Sequence, residues 1–112
     1  MRSKYGAQKT EVDGIVFASK KEAKRYSELK IMEKAGEISH LELQPRIKLF
    51  SGDVPVRFDS GRQATYVGDF RYFSKRDDAR ILEDCKGYKT TDYKLKKAFV
   101  QAQFPGLKIL ET

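Results

Sequence analysis

Hydrophobic residues change their spacing several times along the chain, and each change marks an element. Val12, Ile15, Val16 and Phe17 bracket Asp13-Gly14, a strong turn pair, so residues 11–17 read as a tight hairpin. Ser19-Lys20-Lys21-Glu22 fits a capping box, in which the Ser and Glu side chains satisfy amides at a helix start. A helix is therefore expected from Ser19, with residues 23–35 in good helix formers and Gly36 as its stop. Tyr26, Leu29 and Ile31-Met32 mark its buried side. Glu22 lies four residues before Tyr26 and seven before Leu29, at the end of the same stripe. Leu41, Leu43, Ile47 and Leu49 then alternate with polar residues, with a break at Gln44-Pro45. Ser51-Gly52-Asp53 reads as a turn, 63–73 as a second strand, Lys75-Arg76-Asp77-Asp78 as a turn, and 80–86 as a third strand ended by Gly87. A second helix is expected from Thr90 or Thr91 to Gln103, with Tyr93, Ala98, Phe99 and Ala102 apolar and Pro105-Gly106 closing it. Leu107, Ile109 and Leu110 make a short last strand. This order predicts an α/β (α+β) fold, a mixed central sheet flanked by helices.

Composition narrows the class. The 112 residues suit a single domain, 1–112, with the first ten polar residues loose. Seven Phe and six Tyr supply a small core despite 35% charged residues, so disorder throughout is not expected. No apolar run approaches the roughly 18 residues of a membrane span, and no leader is expected from the polar first residues. A single cysteine, Cys85, excludes an internal disulfide, and with a single histidine, His40, it makes no zinc site. A reduced, cytoplasmic protein with no organic cofactor is expected. The net charge is +7. Residues 1–30 carry eight basic and four acidic side chains, residues 31–70 five and six, and residues 71–112 ten and six. Such a chain suits a polyanionic partner, most often nucleic acid, although charge alone leaves a merely solvated surface equally open.

The acids break local rules in one place. In Ile81-Leu82-Glu83-Asp84-Cys85-Lys86, strand alternation puts Leu82, Asp84 and Lys86 on one side and Ile81, Glu83 and Cys85 on the other. Asp69 stands among apolar residues of an expected central strand, where a carboxylate must be paired or bind a cation. Two carboxylates on neighbouring strands suit Mg²⁺, which takes one or two of them plus water and phosphate. A lysine beside them could orient an attacking water and offset charge on a phosphate. Lys89, Lys94, Lys96 and Lys97 follow and would supply phosphate contacts.

Asp69, then Asp84-Cys85-Lys86, resembles the D…(D/E)-x-K motif of the PD-(D/E)XK nuclease superfamily, and Glu22 resembles the helix-borne acid that many members carry upstream. The element order is similar to that superfamily's restriction-endonuclease-like αβββαβ core. The run Lys9-Thr10-Glu11-Val12-Asp13-Gly14-Ile15-Val16-Phe17, with Ser19-Lys20-Lys21-Glu22-Ala23 and Leu41-Glu42-Leu43-Gln44-Pro45, resembles a phage and prophage family, domain of unknown function 1064. That family is in turn similar to phage Holliday-junction-resolving endonucleases. The likeness spans about Lys4 to Leu110; Gly68 replaces the motif's Pro, and Asp84 fills the second acidic position. The resemblance implies Mg²⁺-dependent hydrolysis of DNA phosphodiesters, with Mn²⁺ able to substitute. By position, it implies that Asp69 and Asp84 bind the metal, with the main-chain carbonyl of Cys85 as a further ligand. Lys86 would position the water, Glu22 would hold a second metal or a water, and Gln44 would face the site on the DNA side. It further implies phage DNA processing or resolution of branched DNA by a homodimer in a bacterial or phage-infected cell.

Plainer readings stand beside these. Glu22 is explained by the capping box alone. Asp69 could pair with Arg71, and Asp84 with Lys86 as a surface pair. Glu83 is expected to face the other layer or solvent. Cys85 reads as a small core residue and His40 as a loop or strand-end residue, neither catalytic. Lys94, Lys96 and Lys97 could be the wet face of the second helix. Tyr88 and Tyr93 could stack on a base, but packing is their commoner fate. A non-catalytic DNA-binding or RNA-binding module is the alternative to the enzyme.

Overall fold

A computed structural model of the protein describes residues 8–85 and 89–112. The expected looseness of the first seven residues, the strand end at Gly87, and the roles given to Lys86 and Tyr88 lie outside the described residues. Strands β1 (Thr10–Val12) and β2 (Ile15–Phe17) form the expected two-residue hairpin. Asp13 and Gly14 both take positive φ, 54° and 76°, which matches the right-handed twist of the flanking strands. Helix α1 (Lys20–Lys34) starts on Ser19, whose hydroxyl accepts the Glu22 N–H at 3.2 Å. It ends as the Gly36 stop requires: Gly36 adopts φ 81°, and the Glu37 N–H bonds back to the Met32 carbonyl at 2.9 Å.

Four strands make the main sheet in the order β10-β9-β8-β3: β3 (Ile38–Leu43), β8 (Phe70–Ser74), β9 (Ala79–Asp84) and β10 (Lys108–Glu111). β3, β8 and β9 pair antiparallel, while β10 runs parallel to β9. The parallel pair requires a long crossover, and helix α2 (Thr91–Gln103) provides it. Short pairs complete the fold: β4 (Arg46–Lys48) with β7 (Thr65–Val67), and β5 (Phe50–Ser51) with β6 (Val54–Pro55) around the expected turn. The chain is thus mixed α+β, with two helices and a mixed sheet among the described residues.

Alternation along β9 sends successive side chains to opposite layers. Ile81 joins Phe17, Ala23, Tyr26, Leu29, Phe70 and Tyr72 under α1. Leu82 joins Ile47, Leu49, Ala64, Tyr66, Tyr93 and Val100 under α2. Two expectations are corrected. Ile31 is 70% exposed rather than buried, because it lies 100° round the helix from half-buried Met32. The strand expected over 63–73 is broken at Gly68-Asp69: β7 pairs with β4, and β8 pairs with β3 and β9. Asp69 therefore sits at a bend between strands, half-buried, and not inside a continuous central strand.

Candidate active site

Three backbone hydrogen bonds fix the bend. The Gly68 N–H donates to the Pro45 carbonyl at 3.1 Å, Gln44 N–H to the Asp69 carbonyl at 2.9 Å, and Asp69 N–H to the Glu83 carbonyl at 2.9 Å. Gly68 packs on β9 so closely that a Cβ there would come within 2.7 Å of Leu82 Cδ1. The same bend forces Gln44 to φ 48°, at the break that Gln44-Pro45 predicts. The paired register of β8 and β9 ends at Phe70 and Glu83, which sets Asp69 beside the C-terminal end of β9. There the Asp69 carboxylate, through Oδ2, accepts the Cys85 N–H at 2.5 Å.

Glu22, Gln44 and Asp69 line one cavity of about 140 Å³, walled by Ile15, Val16, Phe17, Leu43 and Phe70. The start of α1, the β3–β4 break and the β7–β8 bend thus meet at a single place. Glu22 is half-buried, as its position at the end of the helix stripe predicts. The Cys85 thiol lies in the same field. Burial, with the carboxylates of Asp69, Glu83 and Glu22 adding and the Thr112 hydroxyl opposing, pushes it up to about 11. Cys85 is therefore a buried, protonated thiol, consistent with a core role.

Asp84 belongs to the opposite layer. It is 1% exposed, and its Oδ2 accepts a hydrogen bond from the Tyr66 hydroxyl at 2.8 Å. The Tyr66 ring packs 5.9 Å from that of Tyr93. Burial first, with Tyr93 and Asp84 adding, raises the Tyr66 hydroxyl far above its ordinary value, so it remains a donor to the carboxylate. Asp84 does not line the cavity of Glu22 and Asp69. Tyr93 N–H donates to the Thr90 hydroxyl at the helix cap, and its own hydroxyl donates to Glu111 at 2.8 Å, so this tyrosine is largely committed to packing.

Glu83 is the group the sequence reading placed least definitely. It is completely buried in the α1 layer, where Arg25 grips it through Nε at 2.7 Å and a terminal nitrogen at 2.6 Å. The Tyr72 hydroxyl donates a hydrogen bond to the same carboxylate. Arg25 was missed from sequence because it reads as one more cation in a lysine-rich helix and its partner lies 58 residues away. The signal available was its place three residues after Glu22, on the side facing the sheet.

The expected phosphate-binding lysines lie around α2 and do not line this cavity. Lys89 and Lys97 both reach Glu111, at 3.4 and 3.3 Å, and Lys96 reaches Asp92 at 3.5 Å. Lys94 is exposed. Arg71, the plainer partner offered for Asp69, instead bonds Glu42 at 2.6 Å. His40 is exposed, at a positive-φ irregularity in β3, so no catalytic role is assigned to it.

Among the described residues, no group of three or more His, Cys, Asp or Glu side chains converges as a metal-binding cluster. Mg²⁺ asks for less than that, since water and phosphate complete its shell. Oxygen donors such as Asp69 and Asp84 fit it in kind; Asp69 lines the cavity, whereas Asp84 lies in the opposite layer against Tyr66.

A mixed α+β fold with a carboxylate-lined bend at the end of an inner sheet strand is the class these features define. The chain belongs to the family described as protein of unknown function (DUF1064), whose pattern it matches over residues 2–111. No curated protein and no solved structure matches the chain significantly. No helix among the described residues is long and apolar enough to cross a membrane.

Proposed function

We propose that this protein is a Mg²⁺-dependent endodeoxyribonuclease with a restriction-endonuclease-like core, acting in phage DNA processing or on branched DNA such as Holliday junctions. The supporting observation is the meeting of Glu22, Gln44 and Asp69 in one cavity beside the strand end that bears Asp84. Asp69 and Asp84, with the Cys85 carbonyl, would hold the ion. When bound, Mg²⁺ lowers the pKa of a water and offsets charge on the scissile phosphate. Lys86, two residues after Asp84, would position a water there, and Glu22 would hold a second metal or a water. Gln44 and the α2-side lysines hold the strand. A homodimer would cut both strands, one site to each.

A second reading has an observation of its own. Asp84 is tied to Tyr66, and the described residues form no three-group metal cluster, which suits a DNA-binding module that has kept the fold without the reaction. The two readings separate in one experiment. Purified protein is incubated with linear and four-way duplex DNA, with Mg²⁺ or EDTA, alongside Asp69→Asn, Asp84→Asn and Lys86→Ala. The nuclease reading expects Mg²⁺-dependent cutting that falls by about 100-fold or more in each variant. Equal cutting by variant and wild type rejects the site. Salt-sensitive binding with no cutting supports the module.

A further inference from the structure

Phe58 lies outside the cavity described above and does not join either core cluster. It is 44% exposed. Its loop is tightly built: Phe58 N–H bonds the Arg62 carbonyl at 2.9 Å, and Gly61 N–H bonds the Phe58 carbonyl at 2.8 Å. Arg57 caps the same turn through the Gly61 carbonyl at 2.9 Å, and an isolated bridge joins Arg57 to Gln63. Gly61 closes the turn with φ 91°. The ring is thus presented on a fixed support. Two cations lie over the ring, Arg62 from the loop and Lys96 from α2, each 5.9 Å from its centroid. Lys96 also contacts Asp92, and Asp59 is the one acid within the turn.

A half-exposed ring with two cations over it has the chemistry of a stacking platform for single-stranded nucleic acid, provided the cations move off the ring as a base arrives. The ring takes the face of a base, and the cations take the flanking phosphates. A duplex does not offer that face, since its bases are already stacked. Lys96 follows Tyr93 by three residues on α2, about 4.5 Å along the axis. Tyr93 in turn packs on Tyr66, the partner of Asp84. The platform therefore flanks the layer that holds one of the two candidate metal carboxylates.

We propose that Phe58, with Arg62 and Lys96, binds an unpaired DNA base, so that the protein prefers branched or frayed DNA over continuous duplex. The choice of DNA and of branched substrates rests on the nuclease reading; the stacking site itself does not. The test measures binding of the full chain in EDTA by fluorescence anisotropy. The probes are a single-stranded DNA oligomer, a duplex of the same sequence, a four-way junction and a single-stranded RNA oligomer. Phe58→Ala is expected to weaken single-strand and junction binding by about 10-fold and to leave duplex binding and the thermal melt unchanged. Phe58→Tyr should bind as wild type does. Arg62→Ala should lower the salt slope, which Phe58→Ala should not. A 2-aminopurine in the single strand should be quenched by wild type and not by Phe58→Ala. Unchanged binding by Phe58→Ala, or an equal loss on duplex, overturns the platform. Tighter binding of the RNA oligomer overturns its assignment to DNA. Phe58-dependent binding without Mg²⁺-dependent cutting sinks only the nuclease reading, whereas cutting with no Phe58 effect sinks only the platform.

Discussion

Glu83 and Asp84 show how one step along a strand separates two chemistries. Their side chains point to opposite layers, and each is completely or almost completely buried. Glu83 meets an arginine and a tyrosine, whereas Asp84 meets a tyrosine hydroxyl. The Arg25 guanidinium, held by Glu83 first and by Glu28 on its exposed side, is raised above its already high ordinary value and stays charged. Removing one member of such a pair strands the other, and this costs more than the pair itself contributes. Glu83→Gln is therefore expected to lower unfolding stability by about 3 kcal/mol, the low end of the range because Arg25 keeps Glu28 and some water. Tyr72→Phe should cost about 1 kcal/mol. Urea melts of the two variants check this, and equal losses would deny Glu83 its special place. Strand alternation made the side of Glu83 legible in the sequence. Its partner was not, because Arg25 lies 58 residues away and only the folded chain brings them together.

At the scale of elements, the legible parts are those with local causes. The Asp13-Gly14 hairpin, the Ser19 cap, the Gly36 stop and the β9–α2–β10 order all follow from short-range chemistry, and the structure has each of them. The break between β7 and β8 was not legible, since Thr65 to Ser74 is rich in strand-forming residues throughout. Its cause is tertiary: the chain must leave β4 and join β3 and β9, and only a residue without Cβ passes Leu82 at that point. Gly68→Ala would bring a methyl within 2.7 Å of Leu82 Cδ1. Overpacking of that kind costs about 1–3 kcal/mol. Because Asp69 is the next residue, the variant should also lose activity in excess of its loss of folded fraction. Comparing cutting rates at a temperature where both proteins are fully folded isolates that effect. A rate equal to wild type would mean that the bend does not position Asp69.

Across the whole molecule, the sequence predicts excess positive charge toward both ends of the chain, and the fold decides where it is presented. Lys89, Lys96 and Lys97 meet Asp92 and Glu111 around α2, in half-exposed to exposed pairs. Pairs of this sort contribute little to stability and exchange readily for phosphate. The molecule measures 39 × 39 × 21 Å, so its broad face covers about 11 base pairs at 3.4 Å each. Four phosphate contacts, one for each of Lys89, Lys94, Lys96 and Lys97, would make log K fall against log salt with a slope of about −4. Replacing Lys94, which is exposed and forms no ion pair among the described residues, should bring the slope nearer zero by about one unit. It should leave the Mg²⁺ requirement for cutting untouched, because Lys94 does not line the cavity of Glu22 and Asp69. Titrations of a 12-base-pair duplex in EDTA between low and physiological salt give the slope directly. An unaltered slope in Lys94→Ala would move the DNA path off this face of α2, while leaving the carboxylate cavity to be judged by its own variants.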